Sequence, residues 1–116
     1  MNGLHEAVRR SAAELRALLL HIEAEHAPVP RSVKRNLDLQ LRGLVTLEQE
    51  LGAGRPTRRV WSLGQASIPV LGSLLNAVQQ RAPALDPSPI DRCRESLTDL
   101  GDPLVAYAEG RSDRGP

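Results

Sequence analysis

Twenty-one consecutive residues, Val60 to Gln80, carry no charge, in a chain where one residue in four is Asp, Glu, Lys or Arg. The stretch reads VWSLGQASIPVLGSLLNAVQQ, fenced by Arg58 and Arg59 before it and Arg81 after it. A run of about 20 residues is long enough to span a bilayer, and Gly64, Gly72, Ser73 and Ala77 are small enough for close helix approach there. A helical wheel argues otherwise. Val60, Leu63, Ser67, Leu71, Leu74 and Val78 share one face, widened by Trp61, Ile68 and Leu75 on one side and by Val70 and Ala77 on the other. Ser62, Gln65, Pro69, Ser73, Asn76 and Gln80 gather opposite, so the segment has a polar stripe. It therefore reads as the central helix of a bundle, and no membrane insertion is expected.

Pro69 constrains that helix. A proline in mid-helix costs about 3 kcal/mol through a lost hydrogen bond and a clash with the preceding turn. Either one helix kinks with Pro69 on its wet side, or Ser67 caps a second helix that carries Pro69 in its first turn. The polar placement of Pro69 favours the single kinked helix. Gly64, Ile68 and Gly72 form an i,i+4 row, which predicts another helix crossing closely.

The flanking segments have helical periods of their own. From about Leu4 to His26, the residues Leu4, Val8, Ser11, Leu15, Leu18 and Ile22 recur at steps of three and four, with Ala7, Ala12 and Leu19 beside them. This helix must stop before Pro28, which pushes its predecessor out of helical geometry. Ser32 is the expected N-cap of a second helix reaching about Leu51, with Val33, Leu37, Leu41, Leu44, Leu47 and Leu51 inward. Lys34–Asp38 and Asp38–Arg42 are spaced for ion pairing on its outer side. Gly52 stands where a left-handed cap belongs. Thr57 is the expected cap of the third helix. Ser88 and Pro89 open a fourth, with Ile90, Cys93, Leu97 and Leu100 inward, and Asp102–Pro103 starts a short fifth or kinks the fourth. Residues 1–109 thus read as one all-α antiparallel bundle of four main helices, and 110–116 as a disordered tail.

With no Phe and only Trp61 and Tyr107 as aromatics, the core must be built of Leu, Val, Ile and Ala. The stacking aromatics that hold single-stranded nucleic acid are missing. Charge is unevenly spread. Residues 1–50 hold seven basic and seven acidic groups, 51–85 four arginines and no acid, and 86–116 seven acids against four arginines. The basic middle and acidic end are expected to complement each other within the fold. The single Cys93 excludes an internal disulfide, and the charged start from Glu6 onward lacks the apolar core of a signal peptide, so a reducing cytoplasm is the expected location.

Residues with chemistry are few. In HIEAEH, His21 and His26 are five apart and point about 140° away from each other on a helix. That spacing fits no zinc-protease motif, and the Glu23-x-x-His26 step has no second copy to complete a di-iron site. Cys93 has Arg92 and Arg94 beside it, which favour a thiolate. Its inward position between Ile90 and Leu97 instead makes it a small apolar core residue. GRPTRR, Gly54 to Arg59, shares the Gly-Arg-Pro order of minor-groove hooks, so Arg55, Arg58 and Arg59 are candidate phosphate or nucleic-acid contacts. Their alternative is a solvated linker.

The sequence thus predicts no catalytic residue, no metal ligand and no cofactor. It points to a non-enzymatic helical interaction or adaptor module, self-associating as a homodimer or binding a partner protein. The apolar surplus at Leu20, Leu39, Val45 and Trp61, with the small Gly64 and Gly72, marks the candidate partner-binding surface. A nucleic-acid-binding accessory protein using Arg55 to Arg59 is the alternative.

Overall fold

The computed structural model describes the backbone of residues 2–54 and 58–113, and the side chains of 3–54, 62, 65–81 and 82–101. Four helices follow one another: α1 Asn2–Ala24, α2 Arg31–Gly52, α3 Arg58–Arg81 and α4 Ser88–Asp113. Among the described residues α1 lies against α2 and α4, and α3 against α2 and α4, while the diagonal pairs do not approach. The result is an all-α four-helix bundle, a rod of 51 × 20 × 19 Å. No helix among the described residues is long and apolar enough to cross a membrane.

The repeating apolar positions become the core. On α1 Leu4, Val8, Ser11, Leu15, Leu18 and Ile22 are all buried, and on α2 Leu37, Leu41, Leu44 and Leu47. On α4 Ile90, Cys93, Leu97 and Leu100 turn inward as their spacing requires. Each fully buried Leu, Ile or Val contributes roughly 1.5–3 kcal/mol over its exposed state. Among the described residues the core holds no aromatic side chain. Ser11 is buried in the α1–α4 seam, where its hydroxyl donates to the Ser96 carbonyl at 3.3 Å. Ser96 Oγ in turn donates to the Cys93 carbonyl at 2.7 Å, so neither hydroxyl is left without a partner.

α3 is one continuous helix through Pro69, which faces water and therefore removes no buried hydrogen bond. Its inward row is Ser67, Leu71, Leu75 and Val78, with Ile68 and Leu74 only partly covered. Val70, expected to widen the buried arc, is instead 41 % exposed. The neighbours cover that side less than the wheel assumed. At Gly72 the expected close crossing is absent: nothing lies within 4 Å of where a Cβ would stand. The surroundings of Gly64 lie outside the described residues. α4 is likewise continuous through Pro103, so no fifth helix forms, and Gly110–Asp113 of the expected tail are helical. Residues 114–116 are outside the described residues.

The helix ends differ most from expectation. α1 closes on His26 in the left-handed region, φ 49°. The amides of His26 and Ala27 donate back to Glu23 and Ile22 at 3.2 and 3.1 Å, the paired bonds of a Schellman closure. Ser32 does not cap α2; the helix begins two residues earlier than that cap would set it, at Arg31 after Pro30, with no side-chain cap. The extended geometry of Pro30, ψ 145°, already turns its carbonyl to the Lys34 amide at 3.1 Å. Gly52 is the last helical residue of α2, and the positive φ, 118°, falls two residues on at Gly54. Asp86 rather than Ser88 serves the start of α4, accepting the Ser88 amide at 3.0 Å. Thr57 lies outside the described residues.

Candidate functional site

The face of α3 turned from the core is the surface that differs from the rest. From Ser62 to Gln80 its described exposed residues, Ser62, Gln65, Ala66, Pro69, Val70, Ser73, Asn76 and Gln80, include no charge, and the exposed Arg81 ends the helix. Beside it, a groove of about 280 Å³ runs between α3 and α2, lined by Leu39, Gln40, Gly43, Ala66, Ser67 and Val70. Large side chains stand on both walls: Leu39 is 52 % exposed on α2 and Val70 is exposed on α3. Small residues, Gly43 and Ala66, line the same groove. Sequence explains the local build. Leu39 is two residues from the buried Leu37 and Leu41, which turns it outward, and Val70 precedes the buried Leu71 by one step of the helix.

Charges near this surface belong to its neighbours. Arg35 and Arg42 flank Leu39 one turn either side on α2, and Arg42 Nε pairs with Asp38 Oδ2 at 3.1 Å. Across the other edge, Arg94 of α4 donates to the amide carbonyl oxygens of Asn76, at 2.7 Å, and Gln79. The α3–α4 seam, the sparsest of the four among the described residues, is thus closed by one guanidinium fork.

The residues singled out in the sequence are only partly brought together. Leu39 lies in the groove. Val45 is half-buried and packed on the core, so it offers less surface than its off-stripe position suggests. Leu20, 66 % exposed, lies on the outer face of α1 and has no part in the groove. Gly72 is half-buried and open above. Trp61 and Gly64 belong to the first turns of α3, but their side-chain surroundings are outside the described residues. Val70, Ala66, Gly43 and Gln40 were not singled out. Their signal is tertiary, since only the α2–α3 register sets Leu39 opposite Val70.

Lys34, expected to pair with Asp38, reaches Glu23 of α1 at 3.3 Å instead. The acids of α4 do not draw on the arginines of the chain's middle in the pairs observed. Asp99 takes Arg10 at 2.7 Å, while Arg92 reaches Glu14 at 3.6 Å. Arg55 and the side chains of Arg58 and Arg59 lie outside the described residues; on the backbone, Arg58 and Arg59 open α3.

The groups with chemistry sit elsewhere. Cys93 is buried, and burial, with the nearby Glu14 carboxylate, pushes its thiol up to about 12, so it stays protonated. The arginine neighbours do not produce a thiolate, because burial and the Glu14 carboxylate outweigh the opposing charge of Arg92. At the loop end of the bundle a cleft of about 290 Å³ is lined by Pro28, Pro83, Ala84 and Leu85, with Glu25, His26 and Asp86 beside them. Asp86 is held below its ordinary value chiefly by hydrogen bonds from the Ser88 backbone and hydroxyl, with the charges of His21 and Arg92 adding to this. His21 Nε2 is buried without a hydrogen-bond partner among the described residues. No group of three or more potential metal ligands forms among the described residues. No protein-family model matches the chain, and no curated protein or solved structure matches it either.

Proposed function

We propose that this chain is a non-enzymatic helical interaction module, and that the outward face of α3, with the groove it forms against α2, is its contact surface. One observation carries the reading: the described exposed residues of α3 from Ser62 to Gln80 carry no charge, and two exposed large apolar side chains, Leu39 and Val70, line one groove beside them. A helix face meant only for water is typically charged, whereas the centres of protein interfaces are depleted of Lys, Glu and Asp. Gly72 lies on the same helix and extends this surface in the proposal, and Trp61 and Gly64 fall in the first turns of that helix.

The test is site-specific photo-crosslinking in cells that make the protein. A photoreactive residue at Ser73 on α3 is expected to give a defined protein adduct, and one at Glu95 on the charged face of α4 none. Absence of an adduct at Ser73, or equal capture at both positions, contradicts the reading.

A further inference from the structure

Resting on that reading, we infer that the occupant of the α3 surface is a second copy of this chain, the two α3 faces meeting about a twofold axis. Three features select a copy over an unlike partner. First, the surface is complementary to itself. Exposed large side chains, Leu39 and Val70, and small ones, Gly43 and Ala66, line the same groove. In a twofold contact the same patch is used by both subunits, so projection and recess must both be present on it.

Second, the polar groups can meet their own kind. Gln65 and Ser73 each bear a donor and an acceptor, and Asn76, whose Oδ1 accepts from Arg94, keeps its amide donors. An amide opposite an identical amide forms hydrogen bonds, whereas a Lys opposite a Lys, or a Glu opposite a Glu, repels. Third, an unlike partner is usually chosen through complementary charge, and this face has none to offer. The charges of α3, Arg58, Arg59 and Arg81, stand only at its two ends, so the span between them brings no like charges together when two copies meet. Arg35 is left at the rim on α2, and Arg42 is already paired with Asp38.

The middle of the charge-free stretch falls within one turn of Ser73, which fixes the test. The full chain is purified and its mass followed by sedimentation equilibrium over a wide concentration range. The expected result is twice the 12.6 kDa chain mass at high concentration, with a dissociation constant little changed by salt because no ion pair crosses the contact. Ser73→Lys and Ser73→Glu are each expected to weaken association roughly 10–100-fold through like-charge opposition, and an equimolar mixture is expected to recover it as a heterodimer. Val70→Arg breaks the groove side independently, and circular dichroism shows that each variant keeps its helices.

A wild-type chain monomeric at every concentration, or a mixture that fails to recover, overturns the inference. If the purified chain is monomeric while Ser73 still captures a different protein in cells, the second copy is wrong and the interaction surface stands. If neither association nor capture occurs, both fall.

Discussion

α1 and α3 are built on the same inner pattern and differ only outside. Both bury a row of aliphatic residues with a serine in it, Ser11 on α1 and Ser67 on α3. Outside, α1 is tied to its neighbours by charge: Arg9 to Glu48 at 3.4 Å, Glu23 to Lys34, Arg10 to Asp99 and Glu14 to Arg92. Among the described residues the outer face of α3 from Ser62 to Gln80 carries no charge of its own, and Asn76 there accepts a hydrogen bond from Arg94 of α4. Exposed apolar residues differ accordingly. Leu20 on α1 stands singly among Arg16, Glu23 and their like, as lone surface leucines commonly do. Leu39 and Val70 share a groove. Inner faces decide that the chain folds, and outer faces decide what the folded chain meets.

The largest effects fall on what the two helices share. Leu18→Ala on α1 and Leu75→Ala on α3, both at fully buried positions, are each expected to lower unfolding free energy by about 2–5 kcal/mol. Urea denaturation measures this, and a markedly smaller loss at Leu75 would mean that α3 is not anchored as α1 is. Next is Val70→Arg, which should leave the stability of the single chain within about 0.5 kcal/mol while abolishing association at concentrations where the wild type pairs. Loss of fold and association together would instead make Val70 a core residue.

The α1 ion pairs come third. Arg10 and Asp99 are about half exposed, so solvent screening limits their coupling to roughly 0.2–1 kcal/mol in a double-mutant cycle, falling as salt is added. A coupling that persists in high salt would contradict this. Asp86, fully exposed, gives a smaller and pH-dependent effect. Its folded pKa lies below the ordinary 3.8, so its contribution is present at neutral pH and is lost as pH falls through that lowered value. Melting temperatures of wild type and Asp86→Asn should converge in acid; curves that stay parallel would show that the carboxylate is not the cause. Leu20→Gln should change neither stability nor association measurably.

Sequence periodicity carried the buried rows of α1 and α4, because Leu, Ile and Val at three- and four-residue steps leave a bundle helix few other orientations. On α2 it carried the middle of the row, Val33 and Leu51 at its ends being only partly covered, and on α3 Ser67, Leu71 and Val78, with Leu75 buried in place of Leu74. It also favoured continuity through Pro69, since a proline on the wet side removes no buried bond. Helix ends were less legible. Ser32 and Ser88 are chemically able to cap, but Pro30 and Asp86 act first. The same holds for the core residues hidden in the connections, Val29, Ala82 and Leu85, which no period announces. The charge-free face of α3 stood in the sequence from the start. What the sequence could not supply was the register of α2 on α3, which turns Val70 from the edge of an apolar arc into one wall of a groove facing Leu39.

The contrast between Leu20 and Val70 provides the most direct test, because Leu20 is the more exposed of the two. Methyl resonances of Leu20, Leu39 and Val70 are followed by NMR as the purified chain is diluted. Association through the α3 face predicts concentration-dependent shifts at Val70 and Leu39 and none at Leu20. Shifts at Leu20 with Val70 unmoved, or no shift at any of the three, would contradict it.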